Sequence, residues 1–398
     1  MTPRERIIAA LERRATDRLP IDFAGTDCSS VHLVAYDRLR KKLGIEPRAM
    51  RLGCLMQQIA EADRELLAHF RSDAEALCFH PRKWRLWESG YGFDVEVAER
   101  WRPERLPDGS MVVKDAQGVV RSRRAAGGFY FDPAEPVFAS VTSPGELDAH
   151  AAVFDRWDWP AVLDESVPEY AARARKLRDS TDRALVAMWR MHYLQAGQIL
   201  RGYEQFLMDL LTDEPLVRAL MDRLHAAYMA RARSFLDAVG ESIDVVFFTD
   251  DLGAQTGPLV GPEVFRRLIK PYWAEMIALV KSRGKKVLMH SCGAISAFLP
   301  DMIEMGVDAV NPVQITAAGM APAELKRQFG KDIAFWGGGV STQGVLDRGS
   351  PAQVRDEVRR NIDVFSRGGG YVFTQVHNIQ ADVPPENILA AYDAARAV

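Results

Sequence analysis

Lys286-Val287-Leu288-Met289-His290-Ser291-Cys292-Gly293 is an apolar run of strand length that stops abruptly in a histidine, a cysteine and a glycine. In extended backbone, residues two apart point to the same side, so His290 and Cys292 share a face. An imidazole and a thiolate side by side make half of a zinc site. Gly293 lets the chain turn at once and keeps the pair at the end of the strand. Strands that end in chemistry are the signature of parallel sheets whose site lies at the carboxyl edge.

Working outward, the same pattern recurs. Ile243 to Phe248, Asp308 to Asn311, Ile333 to Trp336 and Tyr371 to Thr374 are short, β-branched or aromatic runs ending in polar, Gly-rich or His-bearing turns. Segments of helical period separate them, and that alternation predicts βα units and a parallel sheet. Upstream lie Leu19 to Phe23, Ala74 to Phe79 and Ala184 to Trp189, which brings the count to eight, the number a closed (β/α)₈ TIM barrel needs. The chain is therefore expected to form one α/β barrel domain spanning 1–398. Helices are predicted over Glu204 to Leu211 and Leu216 to Phe235, with Pro262 in a first turn and Pro271 breaking the segment that follows.

Between the second and third runs the texture changes. Phe93 to Val97, Met111 to Val113, Val119-Val120 and Phe129 to Phe131 are short strands separated by Asp-Gly, Gln-Gly and Gly-Gly turns. Such spacing predicts antiparallel hairpins. Residues 84–132 are thus expected to be a β-rich insertion near the barrel mouth, serving as a lid, a partner surface or packing alone.

Bulk properties exclude several classes. With 47% hydrophobic and 26% charged residues among 398, the chain has ample material for a core. A formal net charge of −3 leaves no basic excess for nucleic acid. No run of 18 apolar residues suggests a membrane span, and Thr2-Pro3-Arg4-Glu5 reads as a helix-capping box rather than a signal peptide. Cys28, Cys54, Cys78 and Cys292 lack a disulfide-like spacing, so a cytoplasmic location is expected, with only Cys292 in a suggestive setting.

An isolated His-x-Cys also fits a buried thiol beside a hydrogen-bonded imidazole. His377, placed after the last run in Thr374-Gln375-Val376-His377-Asn378, adds a third candidate ligand at another strand end. His290, Cys292 and His377 are therefore the expected ligands of one shared metal ion. Asp250 and Asp251 end the Ile243 run and are the expected catalytic acids, although adjacent carboxylates also serve as helix caps. Trp189, Arg190, His192, Gln255, Asn311, Gln314 and Trp336, at or just past the ends of runs, are the substrate-binding candidates. Trp336-Gly337-Gly338-Gly339 is not a phosphate loop, because no Gly-Lys-Ser/Thr follows it.

His290 to Gly293, Gly306 to Gln314, Trp336 to Val340 and Val383 to Asn387 together resemble the uroporphyrinogen decarboxylase superfamily, which also contains zinc-dependent methyltransferases serving corrinoid proteins. The resemblance implies a (β/α)₈ barrel with its site at the strand ends. True decarboxylases of the family hold a four-armed polycarboxylate with an arginine-rich N-terminal segment. This chain has no arginine between Arg18 and Arg38, and Ala74 to Phe79 runs into His80-Pro81. The methyltransferase branch is closer, since it carries His-x-Cys at the position of His290 and Cys292. It has a second cysteine near the last strand, where this chain has His377. One thiolate with two imidazoles makes a more Lewis-acidic zinc, suited to an ether, alcohol or amine. The implied reaction is demethylation of a small methylated substrate, with the methyl group passing to a corrinoid on a separate protein, since no Asp-x-His-x-x-Gly signature occurs here. The competing readings are a metal-assisted lyase, decarboxylase or hydrolase acting without a corrinoid, and a non-enzymatic scaffold. The substrate's identity and the oligomeric state are not written in the sequence.

Overall fold

Period-two alternation sorts the strand residues of this chain into two cores. The computed structural model describes residues 1–46, 48–154, 163–189 and 191–398. Seven parallel strands, here β1 (Ala74–Leu77), β2 (Ala184–Met188), β3 (Val245–Thr249), β4 (Lys286–His290), β5 (Ala309–Asn311), β6 (Ala334–Trp336) and β7 (Tyr371–Val372), pair in sequence order. Val186, Val245, Phe247, Leu288, Ala309, Ala334 and Val372 face inward and pack together. Their neighbours Val246, Phe248, Val287, Met289, Val310 and Phe335 face outward into the larger core beneath the helices.

The sheet curls until its outer strands nearly meet, a TIM-barrel-like arrangement. Residues 20–22, the centre of the first apolar run, lie between them. The Phe373 amide donates to the Pro20 carbonyl and the Asp22 amide to the Phe373 carbonyl, both at 2.8 Å, while the Asp73 amide donates to Ile21 at 2.7 Å. Helix Pro3–Leu11, opened by the capping box at Thr2, adds Ile7, Ala10 and Leu11 to the inner core.

The helices follow their sequence signals. Tyr203–Thr212 and Glu214–Val239 fall where the periodicity places them. Helix Pro262–Leu268 ends before a new helix, Lys270–Ser282, begins with Pro271 in its first turn, which is the break expected of that proline.

Residues 84–133 form antiparallel strands: Trp84–Glu88 pairs with Asp94–Ala98, and Glu104–Arg105, Met111–Lys114, Val120–Arg124 and Asp132–Pro133 form a meander. Phe129 to Phe131, expected as a strand, is irregular, and strand begins only at Asp132. Met50–Cys54, upstream of the expected boundary, joins this layer by pairing parallel to Asp94–Ala98. Among the described residues no helix is long and apolar enough to cross a membrane.

Candidate metal centre

The inward register of β4 that buries Leu288 also aims His290 into the ring, and the next residue of the same parity is Cys292. His290 Nε2 lies 3.3 Å from Cys292 Sγ, 3.9 Å from Cys28 Sγ and 3.5 Å from Asp251 Oδ1. The His377 ring faces the His290 ring with centroids 5.3 Å apart. The donors form two overlapping groups, Cys28–His290–His377 and Asp251–His290–Cys292, and within each group all ligand atoms lie within 4.8 Å of one another. Ligand atoms around a tetrahedral zinc stand about 3.3 to 3.8 Å apart, so small movements separate these groups from coordination.

The electrostatics suit a cation. Burial opposes charge on His290 and His377, but the sulfurs of Cys28 and Cys292 outweigh it and raise both imidazoles well above their ordinary value. Burial likewise opposes ionisation of Cys28 and Cys292, yet the two histidines pull both thiols down. Asp251 is half-buried, and His290 together with the Cys292 amide holds it well below the usual carboxylate range.

Carboxamides fix the histidine orientation. His290 Nδ1 meets Asn311 Oδ1 at 2.9 Å, and Asn311 Nδ2 donates to the Trp336 carbonyl, so this amide cannot flip without losing a bond. Nδ1 then carries the proton and Nε2 faces the sulfurs. Gly293 adopts φ +84°, and a Cβ there would lie 2.3 Å from the Gly253 carbonyl carbon, so glycine is required where these two loops touch behind Cys292.

The other sequence candidates separate. Asp251 follows Thr249 on the inner face, whereas Asp250 has the outward parity of Phe248. Asp250 is fully buried and accepts from the amides of Tyr193, Leu194 and Gln195 and from the Trp273 indole. Burial raises it to about 6 against the pull of those four donors. It anchors helix Leu194–Arg201 and does not reach the cluster as an expected catalytic acid would. Trp336 lies in the inner core, its indole donating to Asp22 at 2.7 Å, rather than on a substrate wall. Trp189 and His192 line a cavity of about 180 Å³ together with Cys28, Asp251, His290 and His377. Gln255 and Gln314 line a second cavity of about 410 Å³ that reaches Cys292 and His377. There Gln314 accepts from the Gly293 amide at 2.7 Å and donates to Gln255 at 2.7 Å. Arg190 lies outside the described residues.

Cys28 is the residue that sequence reasoning missed. It sits in the short turn Asp27–Ser29, past the carboxyl end of the first apolar run, the same positional signal that singled out His377. Met56, Gln57 and Thr249 also enter the smaller cavity without having been anticipated.

With this geometry in view, the relatives become informative. The uroporphyrinogen decarboxylase (URO-D) family model matches residues 188–398, more than half of the chain. The chain belongs to the URO-D family. It is 24% identical over 203 residues to the uroporphyrinogen decarboxylase of Neisseria meningitidis serogroup C (strain 053442). That match spans 49% of this chain and 52% of the relative, about half the length of each. The fold is shared end to end with a methyltransferase from Methanosarcina mazei, at a TM-score of 0.62 and 18% identity, covering 100% of this chain and 99% of that one. Asp251, His290, Cys292 and His377 fall inside the URO-D match, and Cys28 falls outside it.

Proposed function

We propose that this URO-D family member is a zinc-dependent methyltransferase that moves a methyl group from a small methylated substrate to the corrinoid of a separate protein. In this reading, residues 1–398 form one (β/α)₈ barrel domain, and residues 84–132 are an insertion near its mouth. The observation that carries the proposal is the convergence of two sulfur and two imidazole donors in two overlapping groups that share His290. Thiolate with imidazole is the donor set zinc prefers. Three of these four donors would leave the fourth position of a tetrahedral zinc to substrate, the stoichiometry of catalytic rather than structural zinc. Bound there, the ion would act as a Lewis acid toward the heteroatom that loses the methyl group.

The chain's own residues divide the remaining work. Cys28, His290, Cys292 and His377 are the donors from which three ligands would be drawn. Asn311 holds His290 with Nε2 toward the cluster, and Asp251, kept ionised, fixes Cys292 through its amide and is the proposed catalytic base lining the cavity. Trp189 and His192 wall the substrate cavity, with Gln255 and Gln314 at its polar neighbour. A cavity of about 180 Å³ is smaller than the roughly 300–1,000 Å³ of sites for drug-sized ligands, which favours a small substrate over a tetrapyrrole.

The test offers zinc-loaded protein free cob(I)alamin with a panel of methyl ethers, methylamines and methyl thioethers, and follows the methylcobalamin absorbance. At least one donor should methylate the probe, and His290→Ala and His377→Ala should each lose both zinc and turnover. Full zinc occupancy in both variants would remove the metal centre. Substrate consumption without any need for cobalamin would point instead to a metal-assisted lyase or hydrolase.

A further inference from the structure

The two histidines of the centre are oriented in the same way but from different places. His290 is held by Asn311, whose amide is pinned by the Trp336 carbonyl inside the ring. His377 is held by its neighbour: its Nδ1 meets Asn378 Oδ1 at 2.5 Å. That carboxamide is almost fully buried, and its oxygen also accepts from Gln380 Nε2 at 2.8 Å. Gln380 Nε2 donates to the Asn378 carbonyl as well, at 3.0 Å. The remaining end of the Gln380 amide, Oε1, accepts from the Tyr130 hydroxyl. An oxygen that receives two N–H groups cannot itself donate, so the proton of His377 sits on Nδ1 and Nε2 is left for the cluster.

We propose that Tyr130, which lies outside the parallel sheet between Val120–Arg124 and Asp132–Pro133, is a positioning residue for His377, and that the antiparallel layer thereby sets the affinity and geometry of the metal centre. The hydroxyl fixes which way the Gln380 amide faces. Without it, the Gln380 amide keeps only its two Nε2 bonds to Asn378, its Oε1 loses that partner, and the hold on the Asn378 oxygen that meets the imidazole loosens. Burial, assisted by Asp382 and Tyr91, pushes the Tyr130 phenol up to about 12, so it remains a donor throughout the working range. The loop carrying it is tied to the rim at two further points: the Phe131 amide donates to the Met56 carbonyl at 2.8 Å, and His32 Nε2 lies 3.3 Å from the Phe129 carbonyl. Met56 lines the same cavity as His377. The layer is therefore registered against the site at the backbone as well as through the side-chain chain of hydrogen bonds.

The inference rests on the metal-binding half of the proposed function and not on methyl transfer. Its test measures Zn²⁺ affinity by competition with a chromophoric chelator, and the electronic spectrum of the Co²⁺-substituted protein. Tyr130→Phe keeps the ring that packs on His32 and removes only the hydroxyl. Loss of a ligand-orienting partner typically costs 10–100-fold in metal affinity, and with two amides intervening the expected loss is about tenfold, with shifted Co²⁺ bands. Gln380→Leu should reproduce that loss, and the double variant should not exceed it. Tyr91→Phe, which removes the hydroxyl bonded to Arg124 in the same layer, should leave both readings at wild-type values. Unchanged affinity and spectrum in Tyr130→Phe, or equal losses in Tyr91→Phe, would overturn the proposal, as would wild-type protein that binds neither ion. A protein that binds zinc with the expected variant pattern yet transfers no methyl group overturns the reaction proposed above and leaves this inference standing.

Discussion

Cys28 changes the chemistry expected of the site more than any other residue. With His290, Cys292 and His377 alone, the centre would hold one sulfur and two nitrogens. Cys28 brings a second sulfur within 3.9 Å of His290 Nε2. Its sulfur is buried and its thiol is pulled down by His290 and His377, which suits the proposed ligand role better than that of an inert core cysteine. Cys54 lines the same cavity but belongs to neither donor group, which makes it the matched control. Cys28→Ala should weaken Zn²⁺ binding by more than the roughly 10–100-fold cost of losing an orienting partner, whereas Cys54→Ala should stay within about threefold of wild type. Chelator competition on both variants checks this. Equal affinities would return Cys28 to the core.

Elements place these residues by simple rules, and the sequence carries most of them. His290, Cys292 and Asp251 were legible because period two assigns parity along a strand. The same rule separates Asp250 from Asp251, although the strand's register had to be known before it could be applied. The antiparallel layer was less legible. Gly-containing turns marked its hairpins, but the pairing of Met50–Cys54 with Asp94–Ala98 is a contact between distant segments that no local pattern encodes. The helix Leu33–Lys42 gives a prediction at this scale. Its N-cap is His32, whose Nδ1 accepts from the Val34 amide, a bond that needs a neutral ring. Burial lowers His32 from 6.5 to about 4. A histidine depressed in the folded state contributes stability that is complete above its unfolded value and is lost as pH falls through the folded value. Between pH 6.5 and 4 the protein should therefore lose up to about 3 kcal/mol through His32. His32→Asn, which keeps an acceptor at the cap, should flatten that part of the stability-against-pH curve in urea titrations. An unaltered slope would mean that other groups govern acid unfolding.

At the scale of the whole molecule, the question is what keeps a curled seven-stranded sheet from opening. Eight apolar runs suggested closure, but nothing in a run of letters shows which side chains fasten the seam. Asp73, immediately before β1 and fully buried, does so. It accepts from Arg6 at 2.6 Å, from Arg18 at 2.7 and 2.8 Å, and from the Ile21 amide at 2.9 Å. One carboxylate thus joins the N-terminal helix, the bridging segment at residues 20–22 and the first strand. Removing it leaves the Arg6 side chain, only 5% exposed, without that partner, although Asp17 still meets it from the outside. Breaking a buried pair from one side typically costs about 3–5 kcal/mol, so Asp73→Ala should lower stability by about that amount, the lower end being expected because Asp17 remains. The loss should also be localised. Amide exchange should accelerate at Asp22 and Phe373, whose backbone bonds form the seam, before it does at Phe247 or Leu288 in the middle of the sheet. Uniform acceleration would instead mean that the ring opens as one cooperative unit. No acceleration at the seam, with stability unchanged, would show that strand pairing alone closes it. Because Cys28 follows the bridging segment by only six residues, an open seam should also cost metal affinity, which ties closure of the fold to assembly of the centre.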